Sequence, residues 1–253
     1  FLYFNKIGNI TFTENSSKES GGAVVSGTAA VKTEISNTLF SKNFAADIGA
    51  LGLFSGATLT NVKFENNSAT SAASGMDGAG AIFLGAVSKT VMDNVEFTKN
   101  TSELRGGAIS TRSGDVANNK DARLDILNSR FVGNTAKTTG GAIDNYLYSS
   151  QKDITAVYIE NTTFDTNNAL NGGAIYNHGE PDKEGNEASL RLSDVVFQNN
   201  YATANGGAIF NEFGGGITLD GINTFTKNTY GENKASNDIY NDGLLNIASG
   251  TTS

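Results

Sequence analysis

The side chains in this sequence best able to do chemistry are its acids, and they gather in three places. Asp115, Asp121 and Asp125 lie close together, Asp144 and Asp153 form a second set, and His178 opens the stretch HGEPDKEGNE with Glu180, Asp182, Glu184 and Glu187. Two carboxyl groups at a set separation can hydrolyse a glycosidic bond, and a lyase adds a cation and a base. The first two sets are therefore candidates for polysaccharide chemistry, but neither replaces a repeated position in an organised way or has an evident Arg/Lys companion. The His178 stretch could hold a divalent cation, because hard ions gather carboxylate oxygens. Its spacing matches neither the EF-hand loop nor the glycine-rich calcium repeat, so it reads as a solvated acidic loop. There is no cysteine, which removes thiol catalysis, zinc–thiolate sites and disulfides together. The recurrent GGAI lacks the Lys of a phosphate loop and the central Ser of a nucleophile elbow. No catalytic residue, metal or cofactor is expected.

The elements that must carry these residues are set by a repeat. Phe-x-x-Asn recurs at Phe12/Asn15, Phe40/Asn43, Phe64/Asn67, Phe97/Asn100, Phe131/Asn134, Phe164/Asn167, Phe197/Asn200 and Phe225/Asn228. Eight or nine residues after the Phe, and fifteen in the third copy, comes a second anchor: GGAV at Gly21, IGAL at Ile48, AGAI at Ala79, and GGAI at Gly106, Gly140, Gly172 and Gly206. The eighth copy has NDIY at Asn237 instead. Successive Phe anchors lie 28, 24, 33, 34, 33, 33 and 28 residues apart, which is the signature of a stacked array. Before each Phe the apolar residues alternate, as in LTNVKF and LRLSDVVF, so the units are short strands rather than helices. Three residues before Phe stands Asn9, Asn37, Asn61, Asn94, Asn128, Asn161 and then Asp194, marking a bend that needs the left-handed backbone.

Each period is thus one coil, and equivalent strands pair in parallel about 4.8 Å apart. Phe stacks inside, Asn passes amide hydrogen bonds from coil to coil, and Gly-Gly permits a turn or a close backbone approach. The expected fold is all-β, a parallel β-helix of about eight coils forming a single repeat domain over residues 1–253. The single proline, Pro181, belongs in an insertion, because a parallel ladder has no place for it. Neither an initiator Met nor a signal segment opens the chain, and its end stops part-way through a coil, so a fragment of a longer protein is expected.

Net charge is −8 with 17% charged residues and no basic cluster, which argues against nucleic acid and anionic membranes as partners. No apolar run is long enough to span a membrane as a helix.

The coupled FxxN and GGA[ILV] anchors resemble the polymorphic outer-membrane protein repeat of chlamydial polymorphic membrane proteins and other autotransporter adhesins, over nearly the whole chain. That resemblance implies a right-handed β-helical passenger, displayed on a bacterial cell surface and used in adhesion, with outer-membrane attachment through a domain not present here. Its partner would be a host-cell protein or glycan receptor, or another copy of itself. The alternative from the fold class is a polysaccharide lyase or hydrolase. Two surfaces are candidates for contact. One is the set of inserts at Arg112 to Ala122, Tyr146 to Lys152 and His178 to Ala188, which leave the coil at one point. The other is the outward column after each GGAI isoleucine, where Phe83, Tyr176, Phe210 and Tyr240 form an expected exposed aromatic stripe.

Overall fold

The computed structural model describes residues 6–26, 32–70, 78–85, 89–111, 114–115, 123–148, 155–179 and 190–248. It is an all-β parallel solenoid, with no helix among the described residues. Three sheets run the length of the stack, and each strand pairs in parallel with its equivalent one coil away. Eight Phe rings, from Phe12 to Phe225, mark eight coils, of which about six are full turns between two end coils.

The first sheet carries the Phe anchors. In the coils at Thr33–Ser41, Ala57–Glu65 and Thr90–Thr98 it is one nine-residue strand with a kink, and in later coils the kink divides it, as at Val157–Glu160 and Thr163–Asp165. The kink is the expected left-handed residue: Asn37, Asn61, Asn94, Asn128, Asn161 and Asp194 have φ between 46° and 55°. Alternation then places Ile35, Leu59, Met92 and Ile126 inside with the Phe rings. The rings stack with centroids 4.6 to 5.0 Å apart and planes within 11° of parallel. A single cluster of buried apolar side chains extends from Ile7 to Leu219.

The chain turns from the first sheet into the second at FxxN, and the turn has a feature the sequence does not announce. The residue before each ladder Asn is also left-handed, with φ from 53° to 65° at Glu14, Lys42, Asn66, Lys99, Gly133, Thr166, Asn199 and Lys227. This conformation points the Asn inward. Its Nδ2 donates to Oδ1 of the Asn in the next coil at 2.8 to 3.0 Å throughout, from Asn15 to Asn228. From Asn43 onward it also donates to the Phe carbonyl of the preceding coil, as Asn134 does to Phe97 at 3.0 Å. Each interior Oδ1 accepts a second bond, from the backbone N–H of the preceding Asn. Both donors and both acceptor positions of the amide are therefore used, as burial demands.

The second sheet is short and lined by small residues, among them Ala69, Ala136 and Ala169, and the Gly-Gly pair explains why. Gly140 takes the turn, at φ 62°. At Gly141 a Cβ would stand 2.0 Å from the carbonyl oxygen of Gly173 and 2.5 Å from the backbone nitrogen of Asn168. The chain there lies directly against the next coil, leaving no room for any side chain.

The third sheet follows, from Val24–Ser26 to Ile239–Asn241. The eighth coil lacks Gly-Gly yet keeps its place, since Ile239 pairs with Ile209 and Tyr240 with Phe210. It arrives by an antiparallel pair, Thr229–Tyr230 with Ala235–Ser236. Asp238, in the departing NDIY segment, accepts from Asn228 Nδ2 at 2.9 Å and so receives the last amide of the ladder. Of the inserts, Gly114–Asp115 and Leu147–Tyr148 pair in parallel as a small fourth sheet, which stacks the first two on one side as expected. Most of the third insert, including Pro181, lies outside the described residues.

Candidate functional site

The outward column of the third sheet is where the sequence-derived contact residues lie, and the structure divides them. Phe83 is only 2% exposed. It packs with Ile48, Ala79 and Phe54 in a small second apolar cluster on the outer face, where Ile48 and Ala79 replace the first Gly of the repeat. Tyr176 is 7% exposed, between the rings of Phe210 at 4.7 Å and His178 at 4.4 Å. Phe210 is half-buried, and Tyr240 is 37% exposed. The expected continuous stripe is corrected to Phe210 and Tyr240, because lateral neighbours outside the column cover the other two. Tyr176, Phe210 and Tyr240 also stack nearly parallel, at 4.7 and 4.8 Å, so they cover one another's faces and present edges to solvent.

His178 is the larger correction. It is not a solvated loop residue: its side chain is 12% exposed and held across three coils. Nε2 lies 3.1 Å from Asp144 Oδ1, and Nδ1 lies 3.1 Å from Glu212 Oε2. Each ring nitrogen thus faces a carboxylate oxygen, an arrangement that an imidazolium, with a donor on both nitrogens, satisfies fully. Burial pulls its pKa down, but hydrogen bonds to Asp144 and Glu212, with their charges, outweigh that and hold it above the ordinary value. The bond from His178 in turn lowers the pKa of Glu212, against the effect of burial. The ring of Tyr146 covers His178 at 3.4 Å, and the Arg105 guanidinium lies over Tyr146 and donates to its hydroxyl. Burial, followed by the charge of Glu212, pushes the Tyr176 phenol well up.

The elements that build this clamp are equivalent positions. Tyr146, His178 and Glu212 each follow a buried Asn of the third sheet, and those Asn form a second inner ladder that the sequence reading missed. Asn145 Nδ2 donates to Asn177 at 2.9 Å, Asn177 to Asn211 at 2.8 Å and Asn211 to Asn241 at 2.7 Å. The signal was present in GGAIDN, GGAIYN, GGAIFN and NDIYN, two residues after each Ile. Among the described residues, Ser110 Oγ and Asp144 Oδ2, adjacent in the outward column, are buried without hydrogen-bond partners.

Among the described residues, the acid sets proposed from sequence do not assemble. Asp121, Asp153, Glu180, Asp182, Glu184 and Glu187 lie outside the described residues, and Asp115 is described only as part of a strand pair. Asp125 is buried, in ionic contact with Arg123 at 2.7 Å but without hydrogen-bond geometry. The acids of the clamp, Asp144 and Glu212, are bridged by the imidazole ring of His178 where a hydrolase needs open space for a sugar. Among the described residues no group of acids, His or Cys is arranged to hold a metal ion.

Comparison with known proteins adds one finding. The Chlamydia polymorphic membrane protein repeat matches residues 9–27, 94–112 and 194–212. No curated protein matches the chain. No solved structure matches it. The three matched segments start at the same structural point, the left-handed bend residues Asn9, Asn94 and Asp194. Each runs through the Phe strand, the Asn ladder and the glycine corner into the third sheet, which is most of one turn. The chain is a parallel β-solenoid, three of whose coils match the Chlamydia polymorphic membrane protein repeat.

Proposed function

We propose that this chain is a non-enzymatic passenger domain of a bacterial outer-membrane-associated surface protein, adhering to a host-cell protein or glycan, or to a neighbouring copy. The observation that carries the reading is the repeat match, on a coil whose buried polar groups serve stacking. A rod of this kind presents long faces at fixed spacing, which suits multipoint contact. The aromatic contact face narrows to Phe210 and Tyr240, the two rings of the column open to solvent. Aromatic anchors dominate many interfaces. Beads coated with the purified chain should bind host cells, and Phe210→Ala with Tyr240→Ala should weaken binding about tenfold, or ~1.4 kcal/mol, with Tm measured alongside. Beads that do not adhere to any host cell line would sink the adhesin reading. Release of reducing ends from a polysaccharide panel, abolished by Asp144→Asn, would replace it with an enzymatic one.

A further inference from the structure

The kink of the first sheet forms a groove on the outside of the solenoid that none of the foregoing uses. Two hollows of about 310 and 380 Å³ lie along it and share Asn61 and Lys63, so they form one channel from the coil of Asn9 to that of Asn128. Four coil steps of about 4.8 Å make it roughly 19 Å long.

Along this channel stands an exposed column of left-handed Asn residues. Asn37 donates through Nδ2 to Asn9 at 3.3 Å, Asn61 to Asn37 at 3.2 Å and Asn94 to Asn61 at 2.7 Å. One coil on, Asn128 donates to Asp93 at 2.8 Å and accepts from Asn161 at 2.7 Å. An amide offers two N–H donors and two acceptor positions, and this column uses at most one of each. Asn37, Asn61, Asn94 and Asn128 therefore each keep a donor and an acceptor facing solvent, repeated once per coil. The buried ladder, with every position filled, keeps none.

The chemistry around the column decides what can lie there. Charges of both signs line it, with Lys63 paired to Glu96 at 2.8 Å and Arg130 one coil further, so there is no field of one sign to draw a polyanion or polycation. Ile10 and Leu39 supply apolar floor beside the amides. A peptide strand binds by pairing with a sheet edge. Here every strand in the groove except Thr11–Thr13, at its first-coil end, is already paired on both sides, and the groove crosses strands rather than following an edge. A chain rich in hydroxyls needs no edge: neighbouring hydroxyls donate to and accept from one amide, and ring C–H faces rest on the apolar floor.

We infer that this groove is a binding site for a linear, uncharged oligosaccharide lying parallel to the solenoid axis, held by the paired donors and acceptors of Asn37, Asn61, Asn94 and Asn128. This rests on the adhesin reading and gives it one specific ligand class. The test uses Asn61→Gly with Asn94→Gly, which removes two amides while keeping a residue at ease with positive φ, as Gly221 is at φ 62° in the equivalent position of the last coil. Titration calorimetry of the intact chain against maltohexaose, cellohexaose, chitohexaose and a heparin hexasaccharide supplies the readout. At least one neutral hexasaccharide should bind, the glycine pair should weaken it tenfold or more at unchanged Tm, and Phe210→Ala should leave it within twofold. Failure of every neutral hexasaccharide to bind overturns the inference, as does binding by heparin alone or equal binding by the glycine pair. Host-cell adhesion that persists in the parent and the glycine pair alike, without hexasaccharide binding, rejects the groove and leaves the adhesin reading standing.

Discussion

A single buried amide of the inner ladder makes four hydrogen bonds, and its removal breaks all of them. Asn134 donates to Asn167 and Phe97 and accepts from the side chain and backbone of Asn100. Asn134→Leu should therefore cost about 1–3 kcal/mol or more, since unmet buried groups are what destabilise. Thermal melts decide it, with Thr163→Ala on the exposed face of the first sheet expected near zero. His178 makes a pH-dependent claim at the same scale. Its folded pKa is raised above the ordinary 6.5, so its contribution is complete below about that pH and is lost as pH rises through the folded value. Glu212, lowered from 4.5, contributes above that value and loses its contribution as pH falls through the lower folded one. Stability measured against pH should fall on the alkaline side in the parent, and His178→Gln should remove that component; identical profiles would refute the clamp. The Asn bends were legible because one residue type recurs at a position where its backbone preference matters. His178 was not, since its partners lie one coil away on either side, in letters that differ from coil to coil.

At the scale of the strand and corner, the Gly pair is two devices rather than one. The first Gly turns the chain at positive φ, where a Cβ on Gly140 would stand 2.1 Å from the Ile143 carbonyl oxygen, and the second allows contact with the next coil. Gly141→Ala forces a methyl group into the Gly173 carbonyl and should abolish or greatly lower the cooperative β-type circular dichroism transition. Gly8→Ala meets only the end of the Ser36 side chain at 3.1 Å and should melt within a few degrees of the parent. Equal melting of both variants would mean that the coils can separate locally at no cost. Strand identity, the bend and the inward Phe were all readable from period-two alternation. The left-handed residue before each ladder Asn was not, because Glu14, Lys42 and Thr166 have no bias toward that conformation and hold it only through the fully bonded Asn beside them. The exposed aromatic stripe misled for a similar reason. A column read from one strand omits what covers it sideways, here Phe54 and His178.

For the molecule as a whole, each coil meets its two neighbours through nearly the same contacts, so stability should accumulate by nearest-neighbour terms. Removing residues 131–163 deletes one period of 33 residues and joins Arg130 to Phe164 in the register that Phe131 had. The shortened chain is expected to keep one cooperative melt and a β-type spectrum. Removing 131–147 instead should leave it unfolded, and an equal outcome for the two deletions would argue against the coil as the unit of stability. The first sheet and the inner ladder are what make this so, since they accept any coil whose Phe and Asn arrive in step. Length in such a chain is therefore counted rather than measured. It can grow or shrink by whole turns, as a column of identical bricks can, while any fraction of a turn leaves amides facing carbon. The outer residues of each turn are bound by no such rule, so one scaffold can carry many different surfaces at one fixed pitch.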